Sequence, residues 1–378
     1  MHARQFSSNR SREREIRGER FGDTVLDARI SHVLPTLTTS PCGTSPNVLL
    51  FEPACGWGDQ LRGLVTSFYL SLMTCRTLKQ HWPSQIVLER YFLIHVQMAS
   101  PEEVSQSQPN KIDLVNKFDF LQQEEVMSCI SATNSSVYVH TNAYQWREVV
   151  YYPEHRAMAE LYGLAGLTRY ELYNLAMRVL MPKPSERIRR AVNEVLVRSP
   201  HWPIVFGSRR TPLQASDKVI GVQIRTGGVG ENWTDDARDP LSSVHCFAHE
   251  VRRICGERNC TVFLTTDSQL ATSEFKKMTQ SPHLRLTEWR GQILHTALHS
   301  GRPSSTNQTE STDIWEKTFV DWTALSQVDV LLMSKSGFAW TAAWAGPVPY
   351  ARQLLYHGHT DTCSWRDFDK SWSAKELF

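Results

Sequence analysis

Residues 218–227 read KVIGVQIRTG. The run from Val219 to Ile224 is apolar or small except for Gln223, so it has no polar face to turn to water. It reads as a strand buried on both sides, the habit of a parallel sheet covered by helices. Arg225 at its tip needs a partner, because burying an unpaired guanidinium is costly. Two partners fit: a phosphate, gripped bidentately, or an internal carboxylate such as Asp267.

The pattern around this strand alternates. Downstream, HCFAHEVRRICGE (245–257) has helical spacing, TVFLTTDS (261–268) reads as a strand, TSEFKKMTQ (272–280) as a helix and LRLTEW (284–289) as a strand. A polar loop is expected over 299–313, then a helix (317–328), a strand (329–336), a helix (337–346) and a last strand (351–357). Upstream, NVLLFEP (47–53) reads as a buried strand. Leu61, Leu64, Val65, Phe68 and Leu72 then mark one face of a helix running to about His81. QIVLERYF (85–92) and VYVHTNAY (137–144) read as strands, 99–112 as a loop, and 156–180 and 184–198 as helical, with Ser185 offering a cap. Such alternation specifies an α/β class with parallel sheets, whose ligands bind at the carboxyl ends of the strands.

Composition narrows the partners. The 378 residues contain 41 Lys+Arg against 39 Asp+Glu, so no global field draws nucleic acid or an anionic surface. No apolar run of membrane-spanning length occurs. Residues 1–45 are polar and aperiodic and read as tail and linker; 46–200 and 201–378 are the expected domains, divided near MPKPSERIRR (181–190) or over 200–217. Eight cysteines and five Asn-x-Ser/Thr sequons (Asn9, Asn134, Asn232, Asn259, Asn307) point to the secretory lumen, the Golgi or endoplasmic reticulum.

Three polar clusters fall just past strand ends: Gln223–Gly228, Thr265–Ser268 and Ser334–Phe338. Asp267 and Ser268 could bind a ribose or base edge, or cap the next helix. Ser336 and Gly337 open a helix whose free N–H groups suit a phosphate, or merely a cap. Other chemistries lack their signatures: there is no GxxxxGK[ST], and GWGDQLRG (56–63) lacks G-x-G-x-x-G spacing. Asp367-Phe-Asp369 lies past the last strand, and His245 and His249 lack the glutamate of HExxH, so no metal ligand set is assigned.

GWGDQLRGLVTSFYLSLMTCRTL (56–78), VIGVQIRTG (219–227), VFLTTDS (262–268) and LSQVDVLLMSKSGFAWTAA (325–343), in this order, resemble the four motifs of the GDP-fucose fucosyltransferase superfamily. The Gln223 form of the second motif is similar to the plant cell-wall branch. The resemblance implies a GT-B architecture, two Rossmann-like domains facing a cleft, and inverting transfer of fucose from GDP-fucose to a glycan or protein acceptor without metal or other cofactor. It also implies that Arg225 binds the β-phosphate, that Asp267 contacts guanosine beside Gln223 and Ser268, and that Ser336, Gly337 and Phe338 hold pyrophosphate and base. Gly56, Gly58 and Asp59 would approach sugar and acceptor. At Asp59 the relatives often carry Asn; the carboxylate could be the base or only a helix cap. A non-catalytic nucleotide or glycan binder, or a transferase for another nucleotide sugar, are the rival readings.

Overall fold

The computed structural model describes residues 47–82, 88–115, 136–198, 203–206, 218–230, 233–235, 238–291, 308–346, 352–356 and 363–367, and a few isolated positions besides. The expected tail (1–45) lies outside them except at two positions.

Two parallel sheets organise the chain. The first contains β1 (Val48–Pro53), β2 (Thr77–Gln80), β3 (Gln97–Met98), β4 (Lys111–Asp113) and β5 (Val137–Thr141), in the order β3-β2-β1-β5-β4. The second contains β6 (Lys218–Ile224), β7 (Cys260–Thr266), β8 (Leu284–Thr287), β9 (Val330–Met333), β10 (Arg352–Tyr356) and β11 (Trp365–Asp367), in the order β8-β7-β6-β9-β10-β11. Only β11 runs antiparallel, along the β10 edge. β6 is central and fully buried beyond its first residue, as its lack of a polar face requires.

The helix after β1, α1 (Trp57–Met73), is buried almost all round rather than on one stripe. Its polar residues are accommodated by specific bonds: Thr66 Oγ1 donates to Ala143 O (2.7 Å) and Tyr69 Oη to Leu172 O (2.6 Å). It ends at Met73, before the expected limit, because Cys75 takes positive φ and the chain turns into β2. The loop expected over 99–112 contains α2 (Pro101–Ser107), opened by a capping box between Ser100 and Glu103, and then β4. The strand expected over 85–92 does not enter a main sheet; Leu88–Arg90 form a 3-10 turn and Phe92–Leu93 pair with Lys183–Pro184. Ser185 caps α4 (Glu186–Val195), which follows α3 (Arg169–Leu180).

In the second half, α5 (Val244–Cys255) and α6 (Gln269–Met278) cover one face of the second sheet. The opposite face is covered by α7 (Gln308–Leu325) and α8 (Gly337–Ala345). The expected 299–313 loop therefore ends by residue 308. α7 and α8 belong to the same apolar core as α1 and the first sheet. Trp57, 1% exposed, shows how tightly: its ring lies 4.7 Å from that of Phe319 and 6.1 Å from that of Trp322. Arg187 Nε donates to Glu316 Oε1 (2.9 Å), and Asn174 Nδ2 to Trp344 O (2.7 Å), across the same contact.

Candidate functional site

The second sheet reverses its strand order once, the first jumps in order between β1 and β5, and the sequence motifs sit at these two points. In the second sheet the reversal falls between β6 and β9, the place where open α/β sheets bind ligands. Arg225 follows β6 there and Ser334 follows β9; the amide of Arg225 donates to Ser334 Oγ (2.9 Å).

Asp267 follows β7 and organises the loop after Arg225. One carboxylate oxygen accepts from the amide and hydroxyl of Thr226 (both 2.9 Å), and the other from the amide of Gly227 (2.9 Å). The Arg225 guanidinium lies 3.2 Å from that second oxygen, its side chain 19% exposed against 7% for Asp267. The internal ion pair raised by the sequence is therefore present, and Asp267 is committed to loop and arginine instead of standing open for guanosine. Nor does it cap α6. Ser268 does, accepting from the amide of Ala271 (3.2 Å).

Two residues before Arg225, Gln223 is the register partner of Thr265, so their side chains leave the sheet on the same face. Thr265 Oγ1 donates to Asp321 Oδ2 (2.9 Å) on α7, and Lys317 Nζ adds a second bond to that oxygen (3.0 Å). Asp321 Oδ1 is buried with no hydrogen-bond partner, as is Gln223 Oε1. The two side chains are 5% exposed each. Burial raises the Asp321 carboxyl pKa against the opposing pull of Lys317 and Thr265. Two orphaned acceptors, one at the end of β6 and one on α7 against the end of β7, are costly in a folded protein and suit a ligand that brings N–H donors.

In the first sheet, past the end of β1 beside β5, the chain turns through Cys55 in the left-handed region (φ 64°). Gln60 Nε2 donates to Cys55 O (2.8 Å) and Asn142 Nδ2 contacts Cys55 Sγ (3.4 Å), holding a conformation that disfavours a side chain. Burial pushes the Cys55 thiol up. Gly56 is the N-cap of α1 without any side-chain cap, so Asp59 is not a cap of its own helix. Asp59 pairs with Arg62 one turn on. Burial lowers the Arg62 pKa to about 10, and its guanidinium stacks 4.6 Å from the Tyr144 ring centroid.

The turn after β1 meets the reversal of the second sheet. A Cβ on Gly58 would fall 2.4 Å from the carbonyl of Gly337 and 2.5 Å from Phe338 N, and a Cβ on Gly337 would fall 3.2 Å from Asp59 Oδ1. The N-terminus of α8 therefore carries Asp59 beside it, while Ser336, Gly337 and Phe338 keep partial exposure. Asp239 completes the neighbourhood, its amide donating to Arg225 O (3.0 Å). The sequence reading assigned no role to Asp239 or Asp321. The motif after β6 stops short of the first, and the last motif, 325–343, begins after the second. Among the described residues one group has metal-ligand chemistry, His245, Cys246 and Cys363, and its two cysteines form a disulfide.

No protein-family profile and no curated protein matches the chain. Solved structures do. An arginine-to-lysine mutant of Arabidopsis thaliana FUT1 in complex with GDP aligns over 89% of this chain and 78% of its own, at 13% identity and a TM-score of 0.53. The Bradyrhizobium NodZ alpha-1,6-fucosyltransferase soaked with GDP-fucose covers 85% and 99%, at 14% identity; its TM-score of 0.47 is too low to carry an argument. The chain thus has the α/β fold of the FUT1 structure, the GT-B class expected from its sequence.

Proposed function

We propose that this protein is a glycosyltransferase that takes fucose from GDP-fucose and passes it, with inversion and without a metal, to a glycan or protein acceptor. One observation carries the nucleotide assignment: Gln223 Oε1 and Asp321 Oδ1 are buried acceptors without partners, the first two positions before an arginine held at the sheet's reversal. Guanine offers N1–H and a 2-amino group on one edge, donors that suit such a pair. Arg225 then faces the diphosphate. The GDP held by the FUT1 structure of the same fold agrees with this reading.

Cleavage of the glycosyl–phosphate bond leaves charge on the diphosphate while the sugar becomes oxocarbenium-like, and a fixed arginine stabilises that charge. Asp267 preorganises Arg225 by ion pair and loop together. Asp59 fits the role of base poorly, since its carboxylate is already engaged by Arg62. Three disulfide-bonded segments, at Cys75, Cys246–Cys363 and Cys255–Cys260, support the secretory lumen as its compartment. Among the described residues no helix is long and apolar enough to cross a membrane.

The test is calorimetric titration with GDP, UDP and ADP, followed by GDP release from GDP-fucose with mixed glycan acceptors. GDP preference with acceptor-dependent release is expected. Folded protein that prefers UDP would move the donor to another nucleotide sugar; GDP binding without turnover would make the protein a binder. Arg225→Ala should raise the barrier by about 3 kcal/mol or more.

A further inference from the structure

His245 and Cys246 lie in the first turn of α5, and Cys363 stands just before β11. The two cysteines close a disulfide over a sequence separation of 117. His245 faces both sulfurs: its Nε2 lies 3.4 Å from Cys246 Sγ and 3.5 Å from Cys363 Sγ. The other ring nitrogen, Nδ1, is bonded to the carbonyl of Ser242. A carbonyl only accepts, so Nδ1 carries the proton and Nε2 turns its lone pair toward the sulfurs. A backbone carbonyl holding the far nitrogen is the device that orients an imidazole for a metal. The distances are also those of a tetrahedral site. With Zn–S of about 2.3 Å and Zn–N of about 2.0–2.1 Å, a tetrahedron sets nitrogen and sulfur about 3.5 Å apart. The nitrogen already stands there for both sulfurs. Only the sulfurs, bonded to each other here, must part, and reduction parts them. His245 and Cys363 are exposed, so reductant and ion reach the corner from solvent, while Cys246, 1% exposed, forms its inner wall.

We propose that reduction of Cys246–Cys363 converts this corner into a zinc site, with the two sulfurs and His245 Nε2 as ligands and water in the fourth position. The reductant is a pair of thiols, which give two electrons and two protons to the S–S bond and end as a disulfide themselves. The two new thiols of the protein then release their protons to solvent as their thiolates bind the cation. Two thiolates and an imidazole suit zinc, where magnesium or calcium would ask for oxygen ligands. Disulfide and zinc are alternative pins for one place. Each ties the edge strand β11 to α5, so the strand stays fastened in reducing as well as oxidising surroundings. None of the three ligands is among the residues placed at the donor site, so the zinc is structural and does not rest on the nucleotide reading.

The test uses the full chain, oxidised and after treatment with a phosphine reductant, titrated with zinc and with cobalt as its spectroscopic stand-in. The signal is the difference between wild type and Cys363→Ser, since the remaining cysteines contribute equally to both. Reduced wild type should bind one zinc more than reduced Cys363→Ser, and its cobalt form should show thiolate-to-metal charge transfer and the intense visible bands of a tetrahedral ion. The oxidised protein should show neither. Losing the outer partner of a ligand costs about 10–100-fold in metal affinity, so His245→Ala, which removes a ligand at an exposed position, should weaken this zinc at least about tenfold. Reduction should lower the melting temperature, and zinc should restore it in wild type but not in His245→Ala. If reduction unfolds the wild type outright, zinc should refold it. Zinc bound equally by wild type and Cys363→Ser, or by wild type and His245→Ala, would overturn the site. So would a reduced wild type whose folding or melting temperature zinc leaves unchanged.

Discussion

Gly58 and Gly337 touch backbone to backbone, and with them the turn after β1 of the first sheet and the helix after β9 of the second. The contact has no room for a methyl group, because the atoms it would strike are backbone, 2.4–2.5 Å away, and not the flexible end of a side chain. Gly58→Ala must therefore push α1 and α8 apart. Forcing an extra carbon into a packed site costs about 1–3 kcal/mol. The melting temperature should fall, and GDP affinity with it, since α8 begins beside the Arg225 segment. Gly256→Ala, where nothing lies within 4 Å but φ is +57°, should lower the melting temperature without altering GDP affinity. A Gly58→Ala protein that melts as wild type does would show that the halves are not in register as described.

Asp59 sits in this same contact, and its two roles give opposite signatures. As a base, Asp59→Asn would lose turnover and keep stability. As the partner of Arg62, whose side chain is 5% exposed, it should lose stability, by up to about 3–5 kcal/mol for a buried pair and less here because Asp59 is 28% exposed. Thermal melts and single-turnover rates on Asp59→Asn decide between them, and the melts are expected to move first.

The disulfides differ in what they close. Cys246–Cys363 spans 117 residues and pins the antiparallel edge strand β11 to α5, whereas Cys255–Cys260 spans five. Chain-entropy arguments give about 5 kcal/mol for the first and about 2 kcal/mol for the second. Cys363→Ser should thus lower the melting temperature clearly more than Cys260→Ser. Equal shifts would mean that the edge strand is held by its packing, where Trp365 meets Phe247 at 4.9 Å, and not by the bond.

What the sequence made legible follows from how local each signal is. β6 was readable because a strand without a polar face has few alternatives, and Ser185 because a cap acts within four residues. The Ser100–Glu103 capping box was present in the sequence, with Pro101 after it, and could have placed α2. TLKQ (77–80) could not have announced β2, being short and half polar. The polar clusters past the ends of β6, β7 and β9 were legible, and Arg225, Asp267 and Ser334 from them lie together in space. They could not say which carboxylate was spent internally. That depends on Asp321 passing beneath Thr265, 56 residues away in the chain. The unbroken core through α7 and α8 was equally hidden, because a helix buried all round carries no amphipathic stripe to show which neighbour it serves.

Asp321 also predicts how nucleotide binding depends on pH. Burial holds its carboxyl pKa above the ordinary carboxylate value of about 3.9. A folded-state pKa raised above the unfolded one means that the folded protein binds the extra proton, so stability falls as pH rises between those two values. Asp321→Asn removes this term, and its melting temperature should gain on wild type as pH rises through that window. Ligand N–H donors act the other way, favouring the ionised carboxylate. GDP should therefore bind more tightly as pH rises through the raised value, releasing a proton as it does. Calorimetry in buffers of different ionisation enthalpy counts that proton. Since the phosphate of GDP titrates too, near pH 6, the informative quantity is the difference between wild type and Asp321→Asn. A proton release and an acid limb that vanish in Asp321→Asn place the base at Gln223 and Asp321. An identical pH profile in the two proteins would remove the base from this corner and leave only the diphosphate with Arg225.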